Sequence, residues 1–63
     1  MCESHAYVVR DGSEEKILED VTFLKPQGDE VVLRSLFGDE VKVKGRIEEI
    51  LFMEHKILIK EST

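Results

Sequence analysis

Val41-Lys42-Val43-Lys44-Gly45-Arg46-Ile47 alternates cleanly between two kinds of residue. Val41, Val43 and Ile47 fall on one side of an extended chain, and Lys42, Lys44 and Arg46 on the other. A period of two with one apolar side is the pattern of a half-solvated antiparallel strand. Gly45 breaks the apolar row. A glycine inside such a strand marks a bulge or a sharp bend, because it has no side chain to pack.

The same period runs outward in both directions. Ala6 to Arg10 is an apolar run ended by Asp11-Gly12-Ser13, a strong turn signal. Glu15 to Leu18 starts a second strand, Glu19 and Asp20 interrupt it, and Val21 to Lys25 resumes it with Val21 and Phe23 on one face. Pro26-Gln27-Gly28-Asp29 and Gly38-Asp39 are the next reversals. Between them Val31, Leu33, Ser35 and Phe37 alternate with Val32, Arg34 and Leu36. Glu49 to Met53 and Lys56 to Lys60 read as a hairpin with Glu54 and His55 at its tip. The one window where a helix fits the pattern is Gly45 to Leu51.

Short strands with closely spaced turns predict an all-β fold, a small antiparallel barrel of five or six strands. A barrel is favoured because so few strands would otherwise leave exposed edges. The expected interior is Val21, Phe23, Val31, Leu33, Val41, Val43, Ile47, Ile57 and Ile59, with Phe37 and Phe52 also assigned to the core. Residues 1–63 read as one domain. A chain this short buries only about 60% of its unfolded surface. Its single cysteine cannot form an internal disulfide. Association is a remaining source of stability, and Val32, Leu36 and Leu58 on the outer face predict a homodimer.

Composition excludes several roles. The chain carries nine basic and fourteen acidic residues, a net charge of −5, which argues against nucleic acid as the main partner. No apolar run approaches the roughly 20 residues needed to span a membrane, and no signal peptide is legible. A lone reduced thiol suits the cytoplasm. The carboxylates are scattered and no nucleophile and base stand at a suggestive spacing, so no enzyme is expected. Lys42, Lys44 and Arg46, with Arg34 nearby, form a basic stripe of the kind small barrels use for single-stranded RNA. That is the alternative reading of function.

The remaining chemistry lies in Met1-Cys2-Glu3-Ser4-His5, which holds the only cysteine and one of two histidines. A deprotonated Cys2 thiol is a soft ligand. With Met1 present, the Met1 amine, the Cys2 amide and the Cys2 thiolate can close two small chelate rings. With Met1 removed, amine and thiolate of Cys2 form one ring. Nitrogen-rich square-planar surroundings favour Ni(II) or Cu(II), and a second Cys2 thiolate from another subunit would complete the square. His5 is a weaker candidate and reads as an outward-facing strand residue. From the residues alone, a lone cysteine near a terminus is usually just a cysteine, buried at the start of a strand or incidental.

Met1-Cys2, followed by LEDVTFLKPQGDEVVLRSLFGDEVKVKGRIEEILFMEHKILI from Leu18 to Ile59, resembles the CooT family. The shared features are Asp20-Val21, Leu36-Phe37-Gly38 and Lys44-Gly45-Arg46-Ile47, taken with the length and the position-2 cysteine. The resemblance implies an SH3-like or Sm-like barrel, often a homodimer. It also implies cytoplasmic Ni(II) binding through Cys2 and a part in maturing a nickel enzyme, carbon monoxide dehydrogenase. Members have also been labelled predicted RNA-binding proteins.

Overall fold

The computed structural model describes residues 4–62. Five strands follow in chain order: β1 (Ser4–Arg10), β2 (Ser13–Gln27), β3 (Glu30–Ser35), β4 (Glu40–Leu51) and β5 (Lys56–Glu61). They close into a barrel in the order β1-β2-β3-β4-β5. Four pairings are antiparallel, as expected, and β1 closes on β5 in parallel. The parallel seam follows from an odd strand count, since five alternating strands bring first and last round in the same direction.

The two long strands make the barrel possible. The first half of β2 pairs with β1 and the second half with β3. The first half of β4 pairs with β3 and the second half with β5. Each long strand therefore changes partner along its length and turns a corner between its halves. The β2 corner lies at Asp20, whose φ is 51°, where the β1–β2 register slips. What reads in the sequence as an interruption at Glu19 and Asp20 is thus a bulge within one continuous strand.

The β4 corner lies at Gly45. A Cβ there would collide with the Lys60 carbonyl oxygen and stand 3.1 Å from the Glu61 Cα. Only glycine lets the β5 backbone come this close. The Gly45 amide also donates to the Asp29 carbonyl at 2.9 Å, joining this corner to the β2–β3 turn. The window that admitted a helix is strand throughout. At the first hairpin, Asp11 (φ 47°) and Gly12 (φ 80°) form a two-residue turn with both φ values positive, the conformation an Asp-Gly pair favours.

Ala6, Val8, Val21, Val31, Leu33, Val43, Ile57 and Ile59 form the core, with Ile17, Leu18, Leu24, Val41 and Ile47 packed against it. Phe23 is the exception to the expected list. It is 38% exposed. The register passes from Val21↔Ser35 to Phe23↔Arg34, so one β2 residue is extra at this point and the parity flips. Leu24, opposite Leu33, takes the inner place, and Phe23 turns outward under the Arg34 guanidinium, 4.5 Å from its ring centre. Phe37 and Phe52 are also exposed rather than core, because both stand in turns and not in strands.

Two of the three residues expected on the outer face are covered. Val32 and Leu58 are buried, and only Leu36 is exposed. Val32 lies in register between Lys25 and Lys42, and Leu58 between Tyr7 and Glu49. Long neighbouring side chains shield a branched residue in mid-sheet with their apolar stems. The last hairpin has a wider tip than expected, running from Phe52 to His55.

Candidate metal centre

The start of β1 is fastened at the β2 corner. The His5 amide donates to the His55 carbonyl oxygen at 2.8 Å. The His5 Nδ1 accepts from the Asp20 amide at 3.2 Å, a bond made available by the left-handed backbone of Asp20. His5 is therefore half-buried and engaged, not a solvated strand residue. Its Nδ1 is occupied, so any metal contact would have to use Nε2, which has no hydrogen bond among the described residues.

Two turns meet around this point. The Asp20 carbonyl accepts from the Leu36 amide at 2.8 Å, which seats the β3–β4 turn. Ser35 holds that turn together. It is buried, and its Oγ accepts from the Phe37 and Asp39 amides, both at 3.2 Å. The second turn is Phe52–His55, joined to His5 by the bond already described. Leu36, Phe37, Phe52 and Met53 are the most exposed of the large apolar side chains, from 63% to 94%. All four stand in these two turns. Sequence reading singled out only Leu36; the adjacent pairs Leu36-Phe37 and Phe52-Met53 beside turn residues were the available signal.

Met1 and Cys2, the expected ligands, lie outside the described residues. Among the described residues, no three His, Cys, Asp or Glu side chains come together to hold a metal ion. His5 and His55 meet through backbone atoms, not as a ligand pair. Charge nearby is largely paired. Lys16 and Glu19 are 2.9 Å apart, and their hydrogen bond and mutual attraction raise the lysine pKa and lower that of the glutamate. Lys56 bonds Glu14 at 3.0 Å, which raises its own pKa. Lys42, Lys44 and Arg46 are exposed on β4, as expected.

Residues 1–60 match the family described as CO dehydrogenase accessory protein CooT. The chain belongs to the CooT family. A protein of Methanocaldococcus jannaschii, the uncharacterized protein MJ1551, is 36% identical over 59 residues, covering 94% of this chain and 96% of the relative. A crystal structure assigned to CooT from Carboxydothermus hydrogenoformans superposes with a TM-score of 0.89 at 31% identity. It covers 98% of this chain and all of the other. CooT is thus an accessory protein for CO dehydrogenase and not itself an enzyme. No helix among the described residues is long and apolar enough to cross a membrane.

Proposed function

We propose that this CooT protein is a cytoplasmic carrier of Ni(II) for CO dehydrogenase. It would bind the ion through the Cys2 thiolate and N-terminal nitrogen, that of Met1 where Met1 is kept. The observation that carries the reading is the build of the β2 corner. The backbone leading to Cys2 is held at His5 by bonds from two directions. Cys2 stands three residues before His5, a reach of no more than about 11 Å, so a metal held by Cys2 would stay at this end of the barrel. In this reading the terminal thiolate and amine are the donor set. Thiolate and nitrogen together suit Ni(II).

The same corner suits a twofold homodimer. Leu36, Phe37, Phe52 and Met53 stand exposed in the two turns bonded to Asp20 and His5, and a contact made through them would bring this corner of two copies together. Two-fold dimers are the commonest closed assemblies. Buried mid-sheet Val32 and Leu58 leave the turns as the stronger candidate for this contact.

Nickel titration by absorbance and calorimetry, with mass measured in parallel, tests both parts. Wild type should develop sulfur-to-nickel charge-transfer absorption in a diamagnetic complex, with a dimer mass. Cys2→Ser should lose the colour and the tight binding. His5→Ala should lose little. Nickel held as tightly by Cys2→Ser as by wild type, but lost in His5→Ala, would refute the thiolate site. A mass of 7.3 kDa at high concentration with nickel present would refute the dimer.

A further inference from the structure

The nine cationic side chains divide into two groups. Arg10, Lys16, Arg34 and Lys56 each pair with carboxylates: Arg10 with Glu15 and Glu61, the others with Glu19, Glu40 and Glu14. Lys25, Lys42, Lys44, Arg46 and Lys60 make no ion pair among the described residues. The unpaired five are neighbours. Lys25 and Lys42 flank Val32 across β2, β3 and β4. Lys44 and Arg46 continue the outer row of β4 around the Gly45 corner, and Arg46 lies directly opposite Lys60 on β5. All five are exposed. Glu30 stands opposite Lys44, and Asp29 and Glu61 line the groove beside Arg46 and Lys60, Glu61 being paired with Arg10.

An acidic protein has thus gathered its uncompensated positive charge into one strip. Folding alone does not call for this, because like charges directly opposite on neighbouring strands, as Arg46 and Lys60 are, destabilise a sheet. A negatively charged partner would remove that penalty. Nucleic acid fits poorly. Binding of single strands relies on free aromatic faces for stacking, and Phe23, the ring adjoining the strip, is already covered by Arg34. The strip is also far from the β1 entry point: Lys60 is four residues along β5 from Lys56, about 13 Å. A partner docked on the strip leaves the terminal segment unobstructed.

We propose that the strip Lys25-Lys42-Lys44-Arg46-Lys60 docks an acidic surface of CO dehydrogenase, the enzyme that this family serves. The proposal rests on family membership and not on nickel binding. The test is calorimetry of the full chain with purified apo-CO dehydrogenase. Lys42→Gln/Lys44→Gln is compared with Lys16→Gln/Lys56→Gln, which removes the same net charge from paired positions. The strip variant should weaken the complex about tenfold or more, and the control should change it little. Wild-type affinity should fall steeply between roughly 50 and 200 mM salt, and Cys2→Ser should bind as wild type does. Circular dichroism confirms that both variants fold. Absence of a wild-type complex, equal loss in both variants, or loss in Cys2→Ser overturns the proposal. So does a single-stranded RNA oligonucleotide that binds more tightly than the enzyme and is released by the strip variant.

Discussion

Gly45→Ala is the sharpest perturbation of this fold. The new methyl would meet the Lys60 carbonyl oxygen and crowd the Glu61 Cα at 3.1 Å. Both obstacles are backbone of β5, which is paired on both sides and cannot swing away like a side chain. Relief requires parting β4 from β5 at the corner. That puts at risk the Gly45 bond to Asp29 and the Ser62 bond to Lys44, both 2.9 Å. Each bond contributes about 0.5–1.5 kcal/mol net, and forcing atoms into a packed site costs about 1–3 kcal/mol. The expected loss is therefore about 2–6 kcal/mol. A chain of 63 residues has a total stability of about 3–9 kcal/mol, so at mid-range about two-thirds of it is removed. Urea unfolding followed by circular dichroism measures this, with Gly12→Ala as control. Gly12 has positive φ but open space around it, so alanine there incurs only the backbone term of about 1–2 kcal/mol. A Gly45→Ala protein within about 0.5 kcal/mol of wild type, or more stable than Gly12→Ala, would refute the close-approach account of the corner.

Other outcomes follow from packing and charge. Ile59→Ala, at a fully buried site, should cost about 2–5 kcal/mol by the same unfolding assay. Phe23→Ala should cost clearly less than Ile59→Ala, and the reverse order would place Phe23 back in the core and remove the β2 bulge. Glu61 and Glu19 titrate below the ordinary value of 4.5, each held there first by a hydrogen bond, from Arg10 and Lys16 respectively. A depressed folded pKa adds stability above the unfolded value, lost as pH falls through the folded one. The urea midpoint should therefore drop as pH goes below about 4.5, and Glu61→Gln should flatten that drop. Metal capture needs deprotonated ligands, so nickel affinity should rise with pH through the thiol and amine range; affinity independent of pH would argue against Cys2 and the amine as ligands.

The strand period was legible because β3, β5 and the first half of β4 are regular. Val31, Leu33, Val43, Ile57 and Ile59 stand where simple alternation puts them. Alternation failed on β2, where bulges reset the parity. Ile17 and Leu18, adjacent in the chain, both pack inward, and Phe23 gives way to Leu24. A bulge is set by pairing with a strand far along the chain, which a local pattern does not contain. The core positions Ala6 and Val8 were missed for a related reason: Ala6 to Val9 is apolar throughout, and only the parallel partner β5 decides which residues face in. At the candidate site the expected donors, Met1 and Cys2, were named from residue type alone and lie outside the described residues. The role of Asp20 was not legible, because a non-glycine residue with positive φ announces itself only through the fold.

The two corners give the barrel two separate working ends. The β2 corner fixes the base of the terminal segment through His5, and the β4 corner carries Arg46 and Lys60 beside Gly45. The first fully buried core residue is Ala6. Ser4 and His5, the described residues before it, are half-buried and stand outside the core cluster, so neither fills the interior. That independence is why a ligand change at Cys2 should leave the barrel folded, and why a charge change at Lys42 and Lys44 should leave metal binding intact. A chain too small to enclose a metal within its core gains most by holding donors at its terminus, where two copies can share them. Under the two proposals the barrel would be a handle, with the metal donors carried on the chain before His5 and the positive strip Lys25-Lys42-Lys44-Arg46-Lys60 as the grip.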